Sequence, residues 1–266
     1  MSLSFASSLG GELVMVIGAD SLSVIELSGW NKQRIAEFRL PLKVHEGVPQ
    51  FDGLNDWLAA RRARRLSVRI SSSWIRFAVL PWQAELIDDT LSLALAQALF
   101  AEQYGEASAS WKIDLTPCRP GEARIASAVD ARWFAALEAL AKHHTMQLRS
   151  VQPLLAAIYN GLADKVPDEA LLAVVEPRRL VLIHIENGQW RQLYNRVLPE
   201  PWERRLPSLI TQASASLNAL STPVFIAAPL FERGDLGRLS ATWLRLPARR
   251  GFDPRRDRDW AFCQGC

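Results

Sequence analysis

Two stretches of the chain, residues 13–41 and 171–199, share the same length and the same order of apolar and polar positions. Each has an apolar run, a tight turn, an alternating segment, a second turn and a last segment that ends in Leu-Pro. The apolar runs are residues 13–17 and 171–175, and the alternating segments are residues 22–27 and 180–185. Such segments between polar or Gly-containing turns predict a three-stranded antiparallel meander. Two copies this far apart predict two similar half-domains. The alternative is that the two stretches look alike only because all meanders share this pattern.

The segments around the two meanders predict a fold of the α/β class. Residues 83–151 contain two helical patterns, 85–103 and 131–144, together with three short strands, which predicts an inserted α+β subdomain. Residues 1–82 and 152–168 would then form the first half-domain, and residues 169–246 the second. Residues 247–266 are rich in arginine and predict a basic, flexible tail.

The composition is that of a folded domain, with 49% hydrophobic and 22% charged residues, and the net charge of +3 is too small to indicate a partner. Arginine is nevertheless concentrated in two clusters. Clusters of this kind are either solvated faces or surfaces that bind phosphate or anionic lipid. The first contains Arg61, Arg62, Arg64 and Arg65, and the second Arg245, Arg249, Arg250, Arg255, Arg256 and Arg258.

The three cysteines do not form a disulfide framework, so a reducing compartment is expected. Cys263 and Cys266 have the spacing of half a zinc site or of a redox pair. No second Cys or His pair lies near them in the sequence, and we expect them to belong to the flexible tail. No apolar stretch has the roughly 18 residues of a membrane helix, and the first residues lack the pattern of a signal peptide. The expected location is therefore the cytoplasm.

Three segments resemble one family of proteins. They are VIGADSLSVIEL at 16–27, VRISSSWIRFAVLPW at 68–82 and ARIASAVDARWFAALEALAKHHTMQLRSVQP at 123–153. The chain resembles the family of the pilus protein PilM, the cytoplasmic part of the secretion protein GspL, and the pilus protein MshI. This resemblance implies duplicated half-domains of the actin and hexokinase superfamily, which are ribonuclease-H-like, with the insert at 83–151. The second half-domain is expected to be truncated, because little sequence follows residue 199.

The resemblance also implies where a nucleotide would bind. In the superfamily, ATP lies between the two halves, and the turns of the two meanders bind its phosphates. In the first turn, Val16 stands where the family pattern has Asp and Ser23 where it has Lys, so that Gly18 and Ser21 are the positions retained. If the chain still binds nucleotide, Gly18, Ser21 and Ser23 are the expected contacts.

The second turn departs further from the family pattern. Val174 takes the position of the second Asp, Glu176 that of a Gly, and Pro177 lacks a backbone N–H. A carboxylate at Glu176 would repel a phosphate, and the late turn at 226–229 lacks its paired glycines. Because phosphoryl transfer depends on positioning and charge neutralisation, we expect a pseudo-ATPase without catalytic residues or cofactor.

Other catalytic constellations are not indicated. The four histidines lack the spacing of a metal site, and the serines at 71–73 lack the context of a hydrolase nucleophile. The sequence therefore predicts neither a bound metal nor a nucleophile.

Tryptophan is abundant, with ten residues in the chain, and serves either in the core or as an interface anchor. We expect a partner groove beside the inserted block, formed by Trp74, Arg76, Leu80 and Trp82. The resemblance implies a cytoplasmic scaffold, peripheral to the inner membrane, of a type IV pilus or type II secretion system. Its implied partner is the N-terminal segment of a PilN-like or GspM-like single-span protein, with an assembly ATPase as a further contact and only indirect membrane association.

Two alternatives remain open at this point. The first is a divergent ATPase or small-molecule kinase of the same superfamily, which would use ATP and magnesium. The second is a basic protein that binds nucleic acid through its tail arginines, which predicts steeply salt-dependent binding; our expectation is that nucleic acid is not a partner.

Overall fold

A computed structural model describes residues 11–28, 31–234, 236–237 and 239–266. Gly29, Trp30 and the first ten residues, on which part of the sequence interpretation depended, lie outside this description. The chain forms two compact units. Unit 1 comprises Met1–Ser71, Arg132–Gly161 and Leu246–Cys266, and unit 2 comprises Ser72–Ala131 and Leu162–Arg245.

Unit 1 is built on a five-stranded mixed sheet in the order β10-β6-β1-β2-β3. The first three strands along the chain form the predicted antiparallel meander, and β1, β6 and β10 run parallel. Every residue of β1 is buried, which explains its unbroken apolar run. The strands are β1 (Glu12–Ile17), β2 (Ser21–Leu27), β3 (Arg34–Pro41), β6 (Arg65–Ile70) and β10 (Gln147–Pro153), and a separate hairpin is formed by β4 (Lys43–His45) and β5 (Val48–Gln50).

Three helices belong to unit 1: α1 (Asn55–Ala59), α3 (Ala131–His143) and α4 (Leu154–Leu162). The apolar residues of α3 recur at helical spacing, so Trp133, Leu137, Leu140 and Ala141 are buried together. On α1, Trp57 stacks on Phe38 of β3, with ring centroids 5.5 Å apart. This contact places α1 on one face of the sheet.

The predicted boundaries of the insert are wrong at both ends. Helix α3 and strand β10 belong to unit 1, because β10 pairs in parallel with β6 in the central sheet. Residues 72–82 belong instead to unit 2. The insert therefore spans 72–131 rather than 83–151, because the helix-strand pattern at 131–153 completes the first half-domain and only looked continuous with the insert.

Unit 2 contains a second five-stranded sheet, in the order β13-β12-β11-β14-β15. Its first three strands are the second predicted meander, and β11, β14 and β15 run parallel. The tight turn before β13 is Asn187-Gly188, and both residues have positive φ, as a type I′ turn requires. The strands are β11 (Ala170–Glu176), β12 (Arg179–Glu186), β13 (Gln189–Val197), β14 (Val224–Ala227) and β15 (Ala241–Leu244), and α5 (Trp202–Ser216) follows β13.

The two sheets have the same strand order and the same strand directions. In each, a meander is followed by two further strands that run parallel to the first strand of the meander. The helix α5 packs its apolar side chains, including Trp202, Leu206 and Ile210, into the core of the second sheet. The expected duplication is therefore present in the topology, even though few residues are identical between the copies.

The rest of unit 2 is a small α+β subdomain. Its three-stranded antiparallel sheet has the order β7-β9-β8, and one helix packs on it around Phe100. The side chain of Asp88 accepts a hydrogen bond from the Thr90 N–H and caps this helix. The elements are β7 (Arg76–Leu80), α2 (Asp89–Tyr104), β8 (Trp111–Leu115) and β9 (Arg124–Asp130).

The expected flexible tail is instead packed on unit 1, on the sheet face opposite α1. The Arg69 guanidinium of β6 donates hydrogen bonds to the backbone oxygens of Phe262, Cys263 and Cys266, at 2.6, 2.9 and 2.7 Å. Residues 261–266 are buried. The guanidinium groups of Arg34 and Arg39 lie 5.5 and 5.3 Å from the ring centroid of Trp260. The arginine-rich composition of the tail predicted disorder. That prediction failed because composition does not show the hydrogen bonds from Arg69.

Removal of the Arg69 side chain should release the tail and expose its thiols. Burial raises the pKa of the Cys263 thiol to about 12, so the native thiol is expected to react slowly with Ellman's reagent at pH 8. In a Cys118→Ser background, Arg69→Ala should increase the labelling rate of the two tail cysteines at least about tenfold, since most of the burial that protects them is lost.

Arg65→Ala is the matched control for this experiment, because Arg65 lies on the same strand but is exposed. The tail cysteines of Arg65→Ala should react with Ellman's reagent at the rate of the native chain. Equal labelling rates in Arg69→Ala and the native chain would show that Arg69 does not hold the tail.

Candidate functional site

The turn between β1 and β2 is closed by its own hydrogen bonds. The Gly18 N–H donates to the backbone oxygen of Ser21 at 2.8 Å, and the Ser71 N–H donates to the oxygen of Ile17 at 2.9 Å. A Cβ on Gly18 would lie 3.0 Å from the Ser21 oxygen, so this close turn favours glycine. The Gly18 N–H that would meet a phosphate in the family pattern is therefore directed at Ser21.

Ser23 lies on the sheet face that the tail covers. Its hydroxyl accepts a hydrogen bond from Arg39 Nε at 3.0 Å, and its backbone oxygen lies 3.9 Å from the Cys263 Sγ. The residue is only 7% exposed. Of the three residues expected to contact nucleotide, Ser23 is thus separated from the turn that contains Gly18 and Ser21, and it is engaged by Arg39.

The turn of the second meander presents a buried carboxylate. Glu176 ends β11, is fully buried, and accepts two hydrogen bonds from Ser72. Its Oε2 lies 3.0 Å from the Ser72 nitrogen, and its Oε1 lies 2.6 Å from the Ser72 hydroxyl. Bonds to a charged acceptor are short and strong. A backbone N–H and a hydroxyl, which are the donors that bind phosphate in many proteins, are therefore occupied by this carboxylate.

A second side chain holds the same serine. Asn195 of β13 donates from Nδ2 to the Ser72 backbone oxygen at 2.9 Å, and Ser72 is fully buried. Asn195 is the β13 partner of Val181 in β12, so the meander itself positions it. Ser72 is thereby held to the second sheet within unit 2.

Two arginines, Arg76 and Arg179, lie near Glu176. Burial lowers the pKa of Arg179, and the positive charge of Arg76 lowers it further, while Glu176 and Tyr104 act in the opposite direction. The Arg76 guanidinium lies 5.6 Å from the Tyr104 ring centroid. This part of unit 2 therefore concentrates two guanidinium groups, and an anionic group from outside would be favoured near them.

The predicted partner residues lie on or beside β7. Arg76 is half-buried and donates to the backbone oxygens of Ser73 and Ile75, both at 3.2 Å. Trp74 and Trp82 are also half-buried. Leu80 is only 1% exposed and packs with Ala96 and Phe100 in the subdomain core. Leu80 therefore has a packing role, and the expectation that it offers a partner surface is corrected.

Strand β7 is an edge strand of the small sheet, and it lies beside β13, an edge strand of the second sheet. No ladder joins β7 to β13 among the described residues. Gln189, at the start of β13, accepts a hydrogen bond from the Ala123 N–H and donates one to the Gly121 oxygen. Arg76 lies on β7, and Trp74 and Trp82 flank this strand in the chain.

Sequence analysis missed Asn195 and Arg179, because both become relevant only through pairing with distant strands. A partial signal existed for Glu176: a charged residue at the end of an unbroken apolar strand needs a hydrogen-bonding partner once it is buried. The described residues contain no group of three or more His, Cys, Asp and Glu that could bind a metal ion. Within the described part of the chain, no helix is long and apolar enough to span a membrane.

Comparison with known proteins gives structural matches only. No protein-family model and no curated protein sequence matches the chain. The cytoplasmic domain of EpsL, an inner-membrane component of the Vibrio cholerae type II secretion system, matches with a TM-score of 0.58 and 13% identity. The match covers 88% of this chain and 89% of the chain of that cytoplasmic domain.

Two further structures match to a similar extent. The PilM-PilN type IV pilus biogenesis complex matches with a TM-score of 0.59 and 14% identity, over 82% of this chain and 81% of that chain. A Bacteroides thetaiotaomicron protein with an actin-like ATPase fold and unknown function matches with a TM-score of 0.54 and 12% identity, over 86% and 85%. The chain has an actin-like fold.

The actin-like fold confirms the predicted fold class and the resemblance to PilM and GspL in structure. The two meander turns matter for function, because the family resemblance implies that these turns would bind the phosphates of ATP. In the first, the Gly18 N–H is turned onto Ser21. In the second, Glu176 occupies the Ser72 donors.

The contact between Glu176 and Ser72 should be a strong local determinant of stability. Glu176→Ala leaves a buried N–H and a buried hydroxyl without their acceptor, which should lower the free energy of unfolding of unit 2 by roughly 2–4 kcal/mol. Urea denaturation of the native chain, Glu176→Ala, Ser72→Ala and the double variant forms a double-mutant cycle. A coupling of about 1–2 kcal/mol is expected.

Glu203→Ala is the control for this cycle, because Glu203 is an exposed carboxylate in the first turn of α5 in the same unit. It should change stability by less than about 0.5 kcal/mol. Additive effects of Ser72→Ala and Glu176→Ala would contradict the assigned contact.

Proposed function

We propose that this protein is a non-catalytic scaffold of the inner-membrane platform of a type IV pilus or type II secretion system. Its partner is the cytoplasmic N-terminal segment of a PilN-like or GspM-like single-span membrane protein. The observation that carries the proposal is the Glu176–Ser72 contact, which fixes a buried carboxylate at the turn position where the family pattern has a Gly. The structural likeness to the EpsL cytoplasmic domain and to the PilM-PilN complex supports the assembly role.

The proposed location is the cytoplasmic side of the inner membrane, where the protein is peripheral. This location follows from the partner, because a scaffold that captures the cytoplasmic segment of a single-span protein must lie within reach of the bilayer. An assembly ATPase is a second proposed contact, since the platform would have to connect the membrane partner with the source of mechanical work.

The proposed binding surface is the junction of β7 and β13, with Trp74, Arg76 and Trp82. Half-buried tryptophans offer large apolar area with few rotatable bonds, and Trp and Arg are enriched among residues that dominate binding energy. Arg76 and Arg179 add an excess of positive charge at this junction. We therefore expect the captured segment to combine apolar side chains with at least one acidic group.

The competing function is a divergent ATPase or small-molecule kinase with contacts at Gly18, Ser21 and Ser23. It requires that the Gly18 N–H leave the Ser21 oxygen, and that Arg39 leave the Ser23 hydroxyl. It also requires that the Glu176 carboxylate leave the second turn, where it would repel a phosphate. The geometry favours the scaffold because all three changes would have to occur together.

Peptide binding tests the scaffold directly. A fluorescein-labelled N-terminal segment of a PilN-like single-span protein from the same genome should bind the native chain in an anisotropy titration without lipid. Trp74→Ala and Trp82→Ala should each weaken binding about tenfold or more, because an anchor side chain typically contributes over about 1.4 kcal/mol. Arg76→Ala should weaken binding and reduce its dependence on salt.

Two controls separate binding from folding. Trp82→Phe keeps an aromatic ring and should retain most of the affinity, and Arg204→Ala removes an exposed arginine elsewhere in unit 2. Absence of binding at about 100 µM protein, or equal affinity in all variants, would refute this surface.

A further inference from the structure

The first arginine cluster, at residues 61–65, lies at one end of the unit 1 sheet. We call this end, where the parallel strands begin, an edge of the sheet. Strands β1, β6 and β10 are parallel, so their first residues share an edge: Glu12 pairs with Arg65, and Arg65 with Gln147. The segment before β6 and the one before β10 end at this edge. The connection between β2 and β3 also lies there, because Leu27 is the partner of Glu12.

Cations dominate the described surface of this edge. Arg62, Arg64 and Arg65 are exposed, and none of them forms an ion pair with a described residue. Lys32 and Arg149 add two more charges, with side chains 50% and 55% exposed. We name these five residues together with Arg61 the basic edge.

Two arginines of the second cluster, Arg249 and Arg250, come close to the same region along the chain. Gly251 packs against Gln33 in the connection between β2 and β3, since a Cβ on Gly251 would lie 3.6 Å from the Gln33 Cα. The preceding residues, Arg249 and Arg250, are exposed. Part of the second cluster therefore lies near the hairpin beside the first cluster.

Two acidic groups at this edge, Glu12 and Glu26, are buried beneath the cations. Glu12 Oε2 lies 2.6 Å from Lys32 Nζ and 3.5 Å from Arg149 Nη1, and Glu26 lies 3.8 Å from Arg61. Burial alone would raise the pKa of Glu12, but hydrogen bonds from Lys32 and Ser67 and the nearby positive charges outweigh it, so the pKa is lowered. Both carboxylates are buried, whereas Arg62, Arg64 and Arg65 are exposed.

Such crowding of like charges is unfavourable, and an anionic surface would offset it. Anionic headgroups present many negative charges in one plane, and each basic residue near such a plane contributes to binding. Single-stranded nucleic acid would additionally need aromatic rings for stacking. At this edge Trp57 is stacked on Phe38 and covered by Arg61, which lies 4.5 Å from its ring centroid.

We propose that the basic edge of unit 1 binds the anionic lipid headgroups of a membrane surface directly. The proposal agrees with the proposed function, which places the protein beside the inner membrane, but its charge argument stands independently of any partner. It replaces the indirect membrane association expected from the sequence with a direct one.

Vesicle cosedimentation of the full chain tests this proposal. The native chain should bind vesicles of phosphatidylcholine with about 30% phosphatidylglycerol at 0.1 M salt, and should not bind vesicles of phosphatidylcholine alone. The triple variant Arg62→Gln, Arg64→Gln, Arg65→Gln should weaken binding about a hundredfold, because each basic residue contributes about a fivefold factor. Binding should be lost at 0.5 M salt.

The matched control carries Arg204→Gln, Arg205→Gln and Arg233→Gln, which remove three exposed arginines from unit 2. Both triple variants have the same net charge, so selective loss in the first supports the basic edge. Equal loss in both would show that net charge alone attracts the chain to lipid and would overturn the proposal. Failure of the native chain to bind anionic vesicles would overturn it as well.

Nucleic acid is tested in the same series. Tighter binding of a 30-nucleotide single strand or a 30-base-pair duplex than of anionic vesicles, abolished by the first triple variant, would reassign the basic edge to nucleic acid. The lipid-free peptide titration tests the scaffold separately. A chain that binds vesicles but not peptide would refute the proposed function alone, and one that binds peptide but not vesicles would refute this inference alone.

Discussion

A carboxylate that is fully buried must be satisfied by donors, and in this chain the donors of Glu176 are the N–H and hydroxyl of Ser72. The rest of the second meander turn follows from this constraint. Asn195 completes the enclosure of Ser72 from β13, and Arg179 lies close enough for its pKa to respond to Glu176. The same pair brings residue 72 into unit 2. One acidic residue thus fixes the local structure of the turn and places a carboxylate where the family pattern has a Gly.

The two half-domains show how one topology can carry different surfaces. Both sheets have the same strand order and directions, yet the first turn closes on itself through Gly18 and Ser21, while the second holds a buried acid. In unit 1 the face opposite α1 is covered by the tail through Arg69. The basic edge is left exposed at one end of that sheet. The surfaces of the two half-domains therefore differ in their turns, in their edges and in the tail, whereas the sheets themselves are alike.

The sequence predicted the meanders and the duplication, because apolar periodicity and turn residues are local signals. It misplaced the insert, since the pairing of β10 with β6 joins residues that are distant in the chain. It predicted a flexible tail because arginine-rich composition indicates disorder. The hydrogen bonds from Arg69 to the backbone of residues 262–266 cannot be inferred from composition. Within the candidate site, Glu176 and Pro177 were recognised from the sequence. Asn195, Arg179 and the packing role of Leu80 depended on strand pairing.

We propose that the fold does not bind nucleotide, and melting the chain with and without Mg-ATP tests this proposal most directly. The account predicts a midpoint that changes by less than about 1 °C at about 5 mM Mg-ATP relative to magnesium alone. A bound ligand at a hundred times its dissociation constant would add about 2.7 kcal/mol and raise the midpoint by roughly 5 to 10 °C. A rise of that size would contradict the account and point to the divergent ATPase or kinase.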